Sequence, residues 1–459
     1  MLANSASARD AAHVLHGYVE LGELQRRGVT VITRGKGIYV YDENGVPYIE
    51  GAAGMWCTAF GFGEQALIDA AIEQFHKLPY YHTVAYKSVN PAIDLAERLA
   101  ALVPVKDARI YFCLSGSEAN DFLVKMIRYY NNAIGRPRKK KIIARHGGYH
   151  GGTVMAASLT GLPANHALFD LPLPGVLHTG DPNYFRYALP GETRGDFVDR
   201  LVGDLERLIL AEGAETIAGF IAEPVPGAGG VIIPPDGYYA KVQAVLSKYD
   251  ILFLDDEVIN GFHRTGALWG CQTMGIAPDT MSMAKGLTSA YQPLAAIALS
   301  RDIYDGLETG SKSLGFFGHG TTYSGHPVGC AVALKVLDLL KERDIAGHVA
   351  RVSQTFARRL EAFRDHPLVG DVRYTGLVGA VEFVKSKTPL AFFDRPGAFG
   401  QLVRERAEEG YRLICRLLPN SDACAFSPPL IITESEVDEM FDRFGKALDD
   451  VTAAWNKGN

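Results

Sequence analysis

Between Gln65 and Pro327 the chain alternates short, almost purely apolar runs with longer stretches whose apolar positions recur at helical spacing. The runs are Ile110-Tyr-Phe-Cys113, Ile142-Ile-Ala144, Ile217 to Ala222 and Ile251-Leu-Phe-Leu254. Runs this short without polar alternation read as strands buried on both faces, and the helices between them as the crossovers of a parallel sheet. Upstream, Ala11 to Gly28 carries an amphipathic pattern that predicts one helix. Ile38-Tyr-Val-Tyr41, Asp42-Glu-Asn-Gly45 and Tyr48-Ile49 then predict a small hairpin. After Gly329 a long helix is expected over Cys330 to Glu342, followed by mixed helix and strand patterns. The expected architecture is α/β, with no repeat and no low-complexity linker. Residues 65–329 form a large domain on a mixed, mostly parallel sheet, and residues 1–64 and 330–459 contribute to a smaller α+β domain made from both chain ends.

Composition narrows this picture mainly by exclusion. A chain of 459 residues suits two or three units rather than one core. Its 47% hydrophobic and 21% charged residues are ordinary for a globular protein. Lys+Arg 46 against Asp+Glu 52 gives a net charge of −6, which offers no reason to expect a nucleic-acid partner. The basic run Arg136-Pro-Arg-Lys-Lys-Lys141 leads into Ile142-Ile143 and reads as a solvated loop entering a strand. No stretch approaches the roughly 18–20 apolar residues that span a bilayer, so no membrane partner is expected. The N-terminus lacks a basic start followed by an apolar core, so no secretory signal is read and a cytoplasmic location is expected. The six cysteines (57, 113, 271, 330, 415 and 424) lack paired spacing. They are expected to be reduced, none as a zinc ligand, and no metal site is expected.

The candidate chemistry lies where the apolar runs end. In open α/β sheets ligands collect beyond the carboxyl ends of the strands, where helix N-termini offer free N–H groups to anions. Ser115-Gly-Ser-Glu-Ala-Asn120 follows the run at 110–113 and opens a helix, so Ser115, Gly116 and Ser117 are candidates for a phosphate cradle. The acidic residues of Leu252-Phe-Leu-Asp-Asp-Glu-Val258 end a buried strand and suit either helix capping or a site. Lys285 sits in Met281-Ser-Met-Ala-Lys-Gly-Leu287, an apolar, small-residue setting. Poor hydration lowers a lysine's pKa and frees its amine to attack a carbonyl. His150 is four residues from His146, but Gly147 and Gly148 intervene. A helical metal pair is therefore not expected, and a supporting role is.

Seven motifs stand in register along the chain: Ser115-Gly-Ser-Glu118, Gly148-Tyr-His-Gly151, Ala222-Glu-Pro224, Asp256-Glu-Val258, Gly261-Phe-His-Arg-Thr-Gly266, Ala284-Lys-Gly286 and His319-Gly-Thr-Thr-Tyr-Ser-Gly-His-Pro327. In their order and spacing, from about Gly35 to Pro429, the chain resembles the class III aminotransferases of the fold-type I pyridoxal-phosphate superfamily, in the ω-amine:pyruvate branch. The resemblance implies pyridoxal 5'-phosphate as cofactor, covalently held by Lys285, which also acts as general base and acid. It implies that Asp256 pairs with the pyridine nitrogen, Val258 packs one ring face and Tyr149 stacks on the other. Gly116 and Ser117 would hold the phosphate, and Glu223 would support Asp256 and the ring hydroxyl region. Thr322 would reach the phosphate of a partner subunit, making a homodimer part of the site, with pairing of dimers into a tetramer left open.

Departures within the family bear on substrate. Where the ornithine and 4-aminobutyrate branch has a glutamate that gates an active-site arginine, this chain has Ala228 in Glu223-Pro-Val-Pro-Gly-Ala228, which disfavours an acidic amino donor. Trp56, Tyr149, Ala228, Ile259 and Arg416 resemble the amine branch. Trp56 and Tyr86 would shape an apolar pocket, and Arg416 would swing in to bind a keto-acid carboxylate and out for an apolar amine. His263 replaces the glycine of Phe-Gly-Arg-Thr-Gly, and the segment 80–87 is one residue longer than the family pattern. The expected activity is amino transfer between a primary amine or ω-amino compound and an α-keto acid such as pyruvate, by a ping-pong route. An aminomutase or decarboxylase, or a diamine or ω-amino acid aminotransferase using 2-oxoglutarate, would use the same Lys285 and Asp256, since fold alone does not decide among them. A non-catalytic binding protein on this fold would be expected to have lost one of that pair.

Overall fold

The computed structural model describes residues 4–419 and 421–458. Its centre is a seven-stranded sheet in the order Arg109–Cys113, Ala295–Leu299, Thr280–Met283, Leu252–Asp256, Ile217–Ala222, Lys141–Arg145, Val176–Thr179. The pairings from Thr280–Met283 to Val176–Thr179 are all parallel. Ala295–Leu299 runs antiparallel to both of its neighbours, so Arg109–Cys113 again points with the parallel set. Every residue of Ile217–Ala222 is buried, as a strand covered on both faces must be. This geometry gathers the carboxyl ends of Arg109–Cys113, Lys141–Arg145, Ile217–Ala222, Leu252–Asp256 and Thr280–Met283 along one edge, which is where the candidate motifs begin.

The two chain ends are joined in one sheet. Strands Ile32–Lys36, Tyr39–Asp42 and Pro47–Glu50 form an antiparallel meander, to which Leu413–Ile414 adds in parallel through Leu413↔Ile49. A second four-stranded sheet contains Val369–Thr375, Val378–Phe383, Ala423–Phe426 and Arg416–Leu417. Only Cys415 separates the strand of the first sheet from that of the second, so Arg416 leaves a junction held by two sheets.

The single helix expected over Ala11 to Gly28 is instead two, Ala6–His13 and Leu21–Arg27. Each has its own cap: Ser5 accepts from the Ala8 N–H, and Glu20 accepts from those of Gly22 and Glu23. Local capping outweighs continuity of the apolar stripe. Between the helices Tyr18 takes φ 58, and the break projects it toward the carboxyl edge of the large sheet. The long helix expected after Gly329 is Pro327–Glu342, one turn earlier than expected, because Pro327 suits a helix's first turn. His263, where the family pattern has glycine, adopts φ 71, and Phe262 beside it φ 60. That left-handed conformation costs about 1–2 kcal/mol for a residue with a Cβ.

Candidate active site

A cavity of about 180 Å³ opens at the carboxyl edge of the sheet. One end is polar. Helix Gly116–Ala133 points its N-terminus there, and Gly116 and Ser117 line the wall. A Cβ on Gly116 would meet Val258 Cγ1 at 2.8 Å, so glycine lets the helix start lie directly against Val258. Ser117 Oγ accepts from the Gly152 N–H at 3.0 Å. Ser115 serves the helix instead. Its hydroxyl caps the N-terminus by accepting from the Glu118 N–H at 3.1 Å, and it does not line the cavity.

Asp256 ends its strand 2% exposed and is surrounded by donors. Its Oδ2 accepts from Asn120 Nδ2 at 2.7 Å and pairs with His150 Nδ1 at 2.8 Å, and its Oδ1 accepts from the Val258 N–H at 3.1 Å. His150 therefore supports Asp256, as its sequence context suggested. Glu223 does not. Its two carboxylate oxygens accept from the Tyr149 N–H at 2.9 Å and the Gly227 N–H at 3.0 Å, so it holds the turns that carry Tyr149 and Ala228. Burial pushes the Glu223 pKa up, opposed by the neighbouring His150. Glu223's backbone carbonyl is gripped in turn by Arg145 Nη2 at 2.5 Å and Tyr239 OH at 2.8 Å.

Of the acidic run at 255–257, only Asp256 faces the cavity. Glu257 accepts from the N–H groups of Gly270 at 2.9 Å and Cys271 at 2.7 Å, capping helix Gly270–Met274. The capping and site readings thus both hold, for different residues. Asp255, Glu257 and Cys271 also place ligand-type atoms within 4.8 Å of one another in the core. The cap bonds already engage both oxygens of Glu257.

Lys285 follows strand Thr280–Met283 and enters the cavity from a left-handed turn, φ 47. Burial lowers its pKa, partly offset by Cys57, Asp256 and Glu223. An amine so placed is available unprotonated to a carbonyl carbon. These residues fit pyridoxal phosphate: a glycine-floored helix N-terminus for the phosphate, a donor-saturated carboxylate for the ring nitrogen, and a desolvated amine for the aldehyde.

The other end of the cavity is mostly apolar, with one cation. Trp56, Leu162, Ala228 and Ile259 are buried there, beside half-buried Pro419 and exposed Met55. Tyr149 lines the same space, and its hydroxyl meets that of Tyr18 at 3.3 Å. Arg416 points in, with Nη1 against Met55 Sδ at 2.6 Å and its buried Nε without a hydrogen-bond partner. Burial lowers its pKa, and no carboxylate pairs with it among the described residues. Arg264 is different in kind. Its Nη1 donates to the Leu377 carbonyl at 2.8 Å and the Pro428 carbonyl at 2.6 Å, which makes it a tie between segments.

A family model for class-III aminotransferases matches residues 23–448. The chain belongs to that family. Gamma-aminobutyrate transaminase 1, mitochondrial, of Oryza sativa subsp. japonica is 49% identical over 419 residues, 91% of this chain and 81% of the relative. The omega transaminase of Pseudomonas jessenii, solved in complex with PMP, superposes with a TM-score of 0.97 at 49% identity, covering 99% of this chain and 100% of that one. A transaminase solved with L-Ala has a TM-score of 0.90 at 47% identity, covering 93% and 100%. This class-III aminotransferase is a fold-type I enzyme that uses pyridoxal phosphate and works by ping-pong transfer of an amino group from an amine to a keto acid.

Besides Ser115, two of the residues singled out from sequence do not line this cavity. Tyr86 is fully exposed at φ 62, and Thr322 is exposed, its carbonyl accepting from Tyr80 OH at 2.8 Å. The apolar wall expected of Tyr86 is not supplied within the same chain, because the segment 80–87 is held by Thr322 and Ser324. Conversely, sequence reading missed Tyr18, Met55, Leu162 and Asn120. Asn120 had a signal, since it closes the Ser115–Asn120 motif one helical turn after Ser117. Tyr18 had none, because its place depends on the helix break.

Proposed function

We propose that this aminotransferase is an ω-amine:pyruvate enzyme with one pocket for two unlike substrates, and that it acts as a homodimer. One observation carries the reading: a single cation, Arg416, without a counter-ion, faces an otherwise apolar cavity wall. A charge left unpaired in a desolvated place is unfavourable, so a carboxylate is the natural visitor. The long side chain pivots from strand Arg416–Leu417, and among the described residues its hydrogen-bonding contact is a thioether, so little holds it when an apolar amine group needs the space. Ala228, lacking a carboxylate of its own, leaves Arg416 free for the acid.

When bound, pyridoxal phosphate supplies an electrophilic carbonyl and a ring that accepts the electron pair released at the substrate Cα. Around it, Gly116 and Ser117 hold the phosphate at the helix N-terminus. Asp256, fixed in place by its donors, would hold a proton on the ring nitrogen. Val258 and Tyr149 enclose the ring. Lys285 would be the point of covalent attachment and, once displaced by the substrate amine, its freed amine would take and return a proton at the substrate Cα. Trp56 and Ile259 exclude water beside the reacting centre.

In the homodimer, Thr322 of each copy completes the phosphate site of the other, and Tyr86 faces the other copy. Both are exposed on one chain, and Phe316 and Tyr323 in the segment that carries Thr322 are exposed as well, which suits a second copy. The six unpaired cysteines suit a reducing compartment, and we place the enzyme in the cytoplasm.

The experiment is a screen of donors (an arylalkylamine, γ-aminobutyrate, an α,ω-diamine) against pyruvate and 2-oxoglutarate. The reading expects the arylalkylamine to discharge the cofactor's visible absorbance and pyruvate to restore it. Restoration by 2-oxoglutarate in preference to pyruvate would overturn the acceptor assignment.

A further inference from the structure

Asp256 has two carboxylate oxygens, and its surroundings treat them differently. Oδ2 takes two side-chain partners, Asn120 Nδ2 at 2.7 Å and His150 Nδ1 at 2.8 Å, whereas Oδ1 takes only the Val258 N–H at 3.1 Å. One of the Oδ2 partners, Asn120, is fully buried on helix Gly116–Ala133. Its amide nitrogen spends both hydrogens, on Asp256 Oδ2 and on the His150 carbonyl at 2.8 Å. Reversing the amide would set its oxygen against a carboxylate and a carbonyl, so the orientation is dictated by the partners. Its Oδ1 is buried and has no partner. An unmet buried acceptor is destabilising, and leucine, branched in the same way, would avoid it. The side chain is therefore present for what it donates.

Helix geometry adds a second consequence. Asn120 follows Ser117 by three residues and shares its face, one turn further in. The turn that begins at the phosphate cradle thus also carries a donor to the carboxylate assigned to the ring nitrogen.

We propose that Asn120 is a positioning residue: it saturates Asp256 Oδ2, leaves Oδ1 as the oxygen that meets the pyridine nitrogen, and ties that orientation to the phosphate cradle through one rigid helical turn. The proposal rests on the reading of Asp256 as the partner of that nitrogen. Without the Asn120 donor the carboxylate can turn, Oδ1 no longer meets the ring nitrogen squarely, and the nitrogen holds its proton less firmly.

The test reconstitutes wild type, Asn120→Leu, Asn120→Asp and Asp256→Asn with pyridoxal phosphate carrying 15N in the ring. It measures the ring 15N chemical shift against pH, the cofactor Kd, and the melting temperature of each apoprotein. In Asn120→Leu the shift should move toward that of unprotonated pyridine, and Kd should rise about 10-fold or more, the scale for one hydrogen bond to a charged group. Asn120→Asp, of nearly equal size, should show a larger displacement once its new carboxyl ionises beside Asp256. It should recover toward wild type at lower pH, where the neutral acid donates again. The neighbouring groups that titrate or carry charge, Asp256, His150, Glu223 and Lys285, are common to the wild-type protein and both Asn120 variants, so this recovery isolates the donor at position 120. Wild-type shifts and Kd in both Asn120 variants, with Asp256→Asn displaced, would overturn the role of Asn120 alone. An unchanged shift in Asp256→Asn as well would overturn the reading of Asp256 beneath it.

Discussion

The two ends of the active-site cavity solve opposite problems. At the cofactor end every charged oxygen has donors: Asp256 has three, and Glu223 has a backbone N–H on each carboxylate oxygen. At the substrate end a guanidinium stands with a thioether contact and an unpartnered Nε. Matched hydrogen bonds suit an occupant that never leaves, because reorganising them would cost stabilisation at every turnover. An unmatched cation beside apolar walls suits occupants that alternate between charged and uncharged. Preorganisation and adaptability are thus separated along one cavity, and the separation can be tested residue by residue.

The largest effect is expected at the cofactor end. Lys285→Ala should fold, with an apoprotein melting temperature near wild type, and should lose turnover with every donor and acceptor. Its proton transfer alone accounts for about 10²–10⁴-fold. Borohydride reduction and peptide mapping of the wild-type enzyme should place the phosphopyridoxyl group on Lys285 and on no other lysine. Asp256→Asn comes next, slowing proton removal about 10²–10³-fold in both half-reactions, the scale for a preorganised charge at a reacting group. Slowing of only one half would mean that Asp256 belongs to a substrate rather than to the cofactor.

A comparison of two arginines sharpens the contrast. Arg264 donates to two buried carbonyls, so Arg264→Ala should destabilise the protein by about 1–3 kcal/mol, seen as a lowered melting temperature. Arg416 bonds no backbone carbonyl among the described residues, so Arg416→Ala should lower the melting temperature less than Arg264→Ala does. Equal destabilisation by the two would make Arg416 structural. The smallest effect is one of pH. Burial lowers the Lys285 pKa below the ordinary lysine value of 10.5, which raises the fraction of free amine at any lower pH. The rate at which apoenzyme captures pyridoxal phosphate, followed by absorbance, should level off at a pH below the ordinary lysine value of 10.5 rather than climb to it.

The cofactor end was largely legible in the sequence because it is built from contiguous motifs at strand ends. The run 252–256 predicts a buried strand, and the residues after such a strand must lie at the carboxyl edge. The glycine and serine after Cys113 carry their meaning in the same local way. Ser115 and Glu223 lie in the expected neighbourhood, but their side chains accept from the Glu118, Tyr149 and Gly227 N–H groups, a choice that depends on atoms from several segments. The substrate end was less legible. Tyr18 arrives through a helix break decided by the Glu20 cap, and Met55 through an irregular turn in which Ala53 and Trp56 both have positive φ. Tyr86 resembled a pocket residue in the linear pattern, yet its own chain leaves it in solvent. Whether such a residue lines a pocket depends on the assembly, which local sequence does not encode.

The most direct test of the divided cavity follows the two half-reactions of Arg416→Ala separately by stopped-flow absorbance. Discharge of the holoenzyme by an arylalkylamine should run at nearly the wild-type rate. Recovery of the amine-loaded enzyme by pyruvate should need about 10- to 150-fold more pyruvate, the loss of one charge-assisted contact. Equal impairment of both halves, or neither, would contradict the account.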